Sequence, residues 1–215
     1  MQIFFMNKMT WVLIIFFILL IMFIDLIKSY FKSKKGKGQF GEFIVSLVLN
    51  KIGETYEVWN NITLIIDGES TQIDHIVISN KGIFIIETKY FQGLVLGQVK
   101  DAKWTQVAGR IKRQFQNPLR QNFRHTKFLA EKLGVEETVM IPMVCFTAEV
   151  QFPKGKPENV YFPREMAKKI KEYTEIKLDM NQIKSLKRQL QAMGATTSEK
   201  SKAHLENLKN RHKIQ

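Results

Sequence analysis

A single cysteine, Cys145, leaves the chain no partner for an intrachain disulfide, which excludes a disulfide framework and suits a reducing compartment. Cys145 lies in the apolar run VMIPMVCFT, where a thiol serves as a small core side chain rather than a nucleophile. Acidic residues are scarce: 20 Asp and Glu against 33 Lys and Arg give a net charge of +13. That imbalance favours a polyanionic partner, nucleic acid or an anionic membrane surface, and carries no information about the fold. Small residues of a signal-peptide cut site are missing after the N-terminal apolar run, where DLIKSYFKSKKGKG stands instead, so the run is not a cleavable leader. No internal repeat is present.

What the N-terminus does have is an unbroken apolar run from Trp11 to Ile24, extended to Ile27 if Asp25 is tolerated near the headgroups. The longer version is at the short end of the roughly 17–25 residues needed to span a bilayer. Trp11 and Tyr30 suit interfacial anchors. Lys28, Lys32, Lys34, Lys35 and Lys37 follow the run and only Lys8 precedes it, so the positive-inside rule puts the N-terminus outside and the rest in the cytoplasm. The expected organisation is an extracytoplasmic segment (1–9), a single-pass transmembrane helix in the cell membrane (10–27) and a basic linker (28–38). A core (39–162), C-terminal helices (163–194) and a basic, frayed tail (195–215) follow. From Met166 to Gln215 there are 12 basic and 5 acidic residues, so +7 of the charge lies there.

The core reads as α/β. Gln39–Ile52 has helical apolar spacing, with Glu42 in its first turn where the helix dipole favours an acid, and Gly41 beside it allowing a close approach. Tyr56–Ile66 reads as a strand closed by an Asp67-Gly68 turn, and Gly93–Val99 as another. The polar stretch Asp101–Arg113 interleaves Trp104 with Lys103, Arg110, Lys112 and Arg113, compatible with a nucleic-acid surface but more often a solvated loop. Asn117-Pro118 starts a helix, Asn117 as N-cap and Pro118 at its first position, that runs to Leu133. Val139–Thr147 is an apolar central strand, Asn159–Phe162 a short last one, and helices follow from Pro163 and over Asn181–Met193.

Between the first strand and the second helix lies a β-hairpin, Thr71–Ser79 and Ile83–Lys89, joined through Asn80-Lys81-Gly82. A two-residue loop pairs Ser79 with Gly82 and sets Asp74 opposite Glu87, with Cβ atoms roughly 5 Å apart. Lys89 shares that face and His75 points to the other. Two carboxylates so placed repel unless something positive lies between them. The hairpin leaves two answers open: a divalent cation, or a Lys89–Glu87 salt bridge with Asp74 at an edge.

The ordered set Gly41-Glu42, Gln72-Ile73-Asp74-His75, Gly82-Ile83-Phe84, Glu87-Thr88-Lys89, Gly93, Trp104 and Asn117-Pro118 with Gln121 resembles the nuclease-related domain (NERD) family. That family belongs to the PD-(D/E)xK restriction-endonuclease-like superfamily, and the likeness spans Gly38–Phe146. It implies a mixed central sheet flanked by helices and hydrolysis of phosphodiester bonds, in DNA with RNA left open. It also implies Mg²⁺ or Mn²⁺ held by Asp74 and Glu87, with the Thr88 carbonyl and Glu42 assisting. Lys89 then orients or deprotonates the attacking water, and Gln121 resembles a substrate-contacting glutamine. The tyrosine that follows that glutamine by four in related nucleases is replaced by His125. Two other classes remain: an inactive nucleic-acid-binding module, and a basic scaffold for lipid or protein.

Overall fold

A computed structural model describes the backbone of residues 8–66 and 69–193. The chain divides into two compact units, residues 1–40 and 41–215. The first holds α1 (Lys8–Lys32) and the beginning of α2 (Lys34–Leu49). Leu13, Ile15–Ile24 and Leu26 of α1 are exposed. Among the described residues no helix is long and apolar enough to cross a membrane. The stretch expected as a basic linker, 28–38, is helical, with only Ser33 between the two helices. Lysine is a good helix former, and Ser33 caps the new helix by accepting the Gly36 N–H at 3.0 Å. The Asp67-Gly68 turn, the segment before Lys8 and the tail from Gly194 lie outside the described residues.

The second unit is built on two mixed sheets rather than the single one expected. The larger has the order β1 (Glu57–Ile66), β2 (Glu69–Ser79), β3 (Gly82–Lys89), β7 (Met140–Phe146) and β9 (Val160–Tyr161). Its first three strands are antiparallel and its last three parallel. One face packs on α3 (Pro118–Leu133) and α5 (Met180–Ala192) through Leu129, Leu133, Ile183, Leu186 and Leu190. The other packs on α2 and α4 (Pro163–Glu172) through Val45, Leu49, Met166 and Ile170. With both faces covered, β3 and β7 are almost continuously buried.

The smaller sheet, ordered β6 (Ile111–Gln116), β5 (Lys103–Ala108), β4 (Gly93–Leu96), β8 (Val150–Gln151), contains the stretch expected to be a polar loop. Trp104 is neither solvated nor available to nucleic acid. It is fully buried opposite Phe115, stacks on Phe146 and donates its indole N–H to Gln98 O at 3.0 Å. A Cβ at Gly97 would fall 2.2 Å from the indole, so only glycine admits the ring there.

The β2–β3 hairpin has the two-residue loop, with Ser79 opposite Gly82, and its ladder ends at His75 opposite Ile86. On the other side, β1 pairs Asn60 with His75 and then Ile62 with Ile73. Asn61 between them is left-handed at φ 52°, a conformation asparagine tolerates better than most residues. Alternation breaks there in both strands. Trp59 and Ile62, three residues apart, pack into one core, and so do Ile73 and Ile76. The sheet is creased at Asn61 and Asp74.

Candidate active site

Beyond the crease β2 no longer pairs with β3, and the Asp74 side chain takes over. Its Oδ2 accepts the Thr88 N–H at 2.7 Å. One residue before Thr88, Glu87 is buried near the end of β3. Lys89, two residues further on the same face, donates to Glu87 Oε1 at 2.5 Å and to Gln121 Oε1 at 3.2 Å. The salt bridge that the hairpin left open is therefore formed, while Asp74 is a half-buried member of the same cluster rather than an edge residue.

Gln121 owes its place to Asn117. The Asn117 side chain accepts the N–H groups of Leu119 and Arg120, starting α3 as expected. Its Nδ2 also donates to the carbonyls of Val99 and Asp101, at 3.1 and 2.7 Å. Asn122 fixes the same helix to the sheet by donating to Ile85 O and Met143 O, each at 2.8 Å. Glu42 arrives from α2, whose approach depends on Gly41. A Cβ at Gly41 would lie 2.7 Å from Thr147 Oγ1 and 3.1 Å from Tyr90 Cβ.

The electrostatics follow from gathering acids in a dry place. Burial, then Glu87, then Glu42 push Asp74 well above the usual carboxylate range, while the Thr88 N–H and Lys89 pull it back. Burial and then Glu87 also raise Glu42, against Lys89. His125, four residues beyond Gln121, brings Nε2 to 3.8 Å from Glu87 Oε2. Burial lowers its pKa, Glu87 works the other way, and Lys89 and Arg124 add to the lowering.

Glu87, Lys89 and Gln121 thus meet by direct contacts, Asp74 is fastened to Thr88 between Glu87 and Lys89, and Glu42 joins them through its field. Thr88 contributes its N–H, and its Oγ1 is buried without a partner. His75 is outside the cluster, as expected: it is fully buried, hydrogen-bonded through Nδ1 to Asn60 Oδ1 at 2.7 Å, and held down to about 3 by burial. Burial likewise pushes the Cys145 thiol up, which fits a core role. The sequence reading did not place His125 at Glu87, although its i+4 spacing from Gln121 was the available signal.

Among the described residues, no group of three or more His, Cys, Asp and Glu side chains is drawn together tightly enough to hold an ion as it stands. The donor chemistry fits a divalent cation nonetheless. Asp74 and Glu42, both raised by burial and by Glu87, the Glu87 carboxylate itself, and a buried imidazole nitrogen without a hydrogen bond form an electron-rich set with one ammonium to balance it.

A protein of Bacillus anthracis, itself uncharacterized, is 32% identical over 183 residues, which cover 82% of this chain and 86% of that one. The family model described as nuclease-related domain matches residues 37–147. That span opens in α2, closes just past β7 and holds each of Glu42, Asp74, Glu87, Lys89 and Gln121. On this match and this arrangement, the chain belongs to the nuclease-related domain (NERD) family.

Proposed function

We propose that this protein is a metal-dependent nuclease that hydrolyses phosphodiester bonds in DNA and is anchored in the cell membrane by α1. The observation that carries the catalytic part is the meeting of Asp74, Glu87, Lys89 and Gln121, from three elements, at the end of β3. Asp74 and Glu87, with Glu42 and the Thr88 carbonyl, would hold Mg²⁺ or Mn²⁺. A bound divalent ion supplies Lewis-acid stabilisation of phosphate charge and lowers the pKa of water. Lys89, steered by Glu87 and Gln121, orients the attacking water and offsets charge growing on the phosphoryl oxygens. One water is consumed as one P–O ester bond breaks, leaving a phosphomonoester and a hydroxyl. The β5–β6 hairpin, inserted between β3 and α3, exposes Arg110, Lys112 and Arg113 and suits the DNA backbone. Support for the anchor is the exposed apolar surface of α1 and the lysines that follow it. The charge asymmetry favours an outside N-terminus and a cytoplasmic nuclease domain.

The test is to incubate the purified full chain with DNA and Mg²⁺ or Mn²⁺. Wild type is expected to cleave, and Asp74→Asn and Lys89→Ala are each expected to be inactive. Cleavage that survives both substitutions removes this site. A second reading, a DNA-binding module without turnover, draws on the closure of Lys89 on Glu87. It predicts salt-sensitive binding and no cleavage with either metal.

A further inference from the structure

His125 has no role in the mechanism above, yet it is aimed at its centre. Its Nε2 is buried, makes no hydrogen bond and lies 3.8 Å from Glu87 Oε2, too far for one. The two oxygens of Glu87 are thereby divided: Oε1 is held by Lys89, and Oε2 faces the imidazole. Nitrogen and oxygen donors that share one ion at about 2.1 Å each stand no more than about 4.2 Å apart. The observed separation falls within that reach. α3 holds the ring in place, since Asn117 starts the helix, Asn122 pins it to Ile85 and Met143, and Thr126 next to His125 is buried.

We infer that His125 Nε2 is a nitrogen donor to the ion that Asp74 and Glu87 would hold, and that the site therefore selects Mn²⁺ and later first-row ions over Mg²⁺. This rests on the metal-dependent reading of the same site. Mg²⁺ takes oxygen ligands almost exclusively, whereas imidazole is a good ligand for transition ions. Binding would draw Glu87 Oε1 away from Lys89, which keeps Gln121 Oε1 as its partner.

The deciding measurement is pulsed electron paramagnetic resonance of Mn²⁺ added to the full chain, read for imidazole nitrogen-14 coupling. Metal affinities come from competition titrations with Mn²⁺ and Mg²⁺. Wild type is expected to bind Mn²⁺ with nitrogen coupling. His125→Gln is expected to lose the coupling and to bind Mn²⁺ at least about tenfold more weakly, since loss of an outer partner alone costs that much. Its Mg²⁺ affinity is expected to change far less than its Mn²⁺ affinity, since Mg²⁺ takes oxygen ligands and loses none in this variant. Mn²⁺ bound by wild type without nitrogen coupling overturns the inference and leaves the carboxylate site standing. Coupling that persists in His125→Gln overturns it too. Wild type that binds no Mn²⁺ overturns both the inference and the metal-dependent reading. The wild-type spectrum is decisive even if the variant does not fold.

Discussion

Replacing Asp74 by Asn isolates the cost of assembling this site. Asn is nearly isosteric, and its Oδ1 can still accept the Thr88 N–H that Asp74 holds at 2.7 Å. What disappears is a negative charge beside Glu87. Glu87 acts on Asp74 through its charge, and two unit charges roughly 5–7 Å apart interact by about 2–3 kcal/mol at an effective dielectric of about 20. Lys89, 2.5 Å from Glu87, already offsets part of this, so a net gain of about 1–2 kcal/mol is expected in the absence of metal. For a domain of this size that raises Tm by about 2–8 °C. The sign with pH is fixed by the raised pKa of Asp74. The fold binds that proton more tightly than the unfolded chain does. The wild-type contribution is complete below the ordinary carboxylate value near 3.9 and is lost as pH rises through the raised one. The advantage of the variant should therefore be large at pH 8 and shrink towards pH 4. The assay is thermal unfolding of both proteins in EDTA across that range, repeated at pH 7.5 with Mn²⁺, which should stabilise only wild type. A variant no more stable than wild type at pH 8, or a difference that does not change with pH, refutes the account of the site as a strained acidic cluster.

Gly41→Ala should destabilise the fold by about 1–3 kcal/mol, read as a lower midpoint in urea, because its methyl group would press on Thr147 and Tyr90. Asn117→Ala removes a helix cap and two strong bonds to the 99–101 loop at once. It should cost about 2–3 kcal/mol by the same denaturation measurement. Changing Arg110, Lys112 and Arg113 together to Ala should leave the melting curve in place. It should flatten the dependence of log K on log salt for DNA binding by up to about 2.7, three phosphate contacts at about 0.9 each. Removing residues 1–32 should move the protein from the membrane to the soluble fraction on centrifugation; retention in the membrane would argue against α1 as the anchor.

Much of the larger sheet was legible because its signals are local. The hairpin register followed from Asn80-Lys81-Gly82, and both ends of α3 followed from Asn117-Pro118 and Gly134. Of the smaller sheet β4 was legible, but β5 and β6 were not, because each offers one large ring inward, Trp104 and Phe115, among residues that face water. With so few apolar positions the period of two never shows. The ordered motif named the candidate acids and Lys89, and alternation along β3 put Glu87 and Lys89 on one face. It said nothing of His125 at Glu87, because how α3 faces the sheet is set by Asn122 reaching two carbonyls on different strands. The basic linker, to which the sequence assigned no secondary structure, shows the converse: lysines with little apolar content still continue a helix once Ser33 caps it.

The left-handed Asn61 and the broken alternation beside it bear on how such a site can be moved between proteins. A straight ladder spends every N–H of its inner strands on a neighbouring carbonyl, so an acid grafted there meets no donor and only competes with the strand beside it. Here the fold leaves one rung out, and the vacant donor on Thr88 becomes the fastening for Asp74. Transplanting Asp, Glu and Lys at the same spacing into a regular hairpin would reproduce the lettering without the fastening. A working graft would have to carry the kink with it.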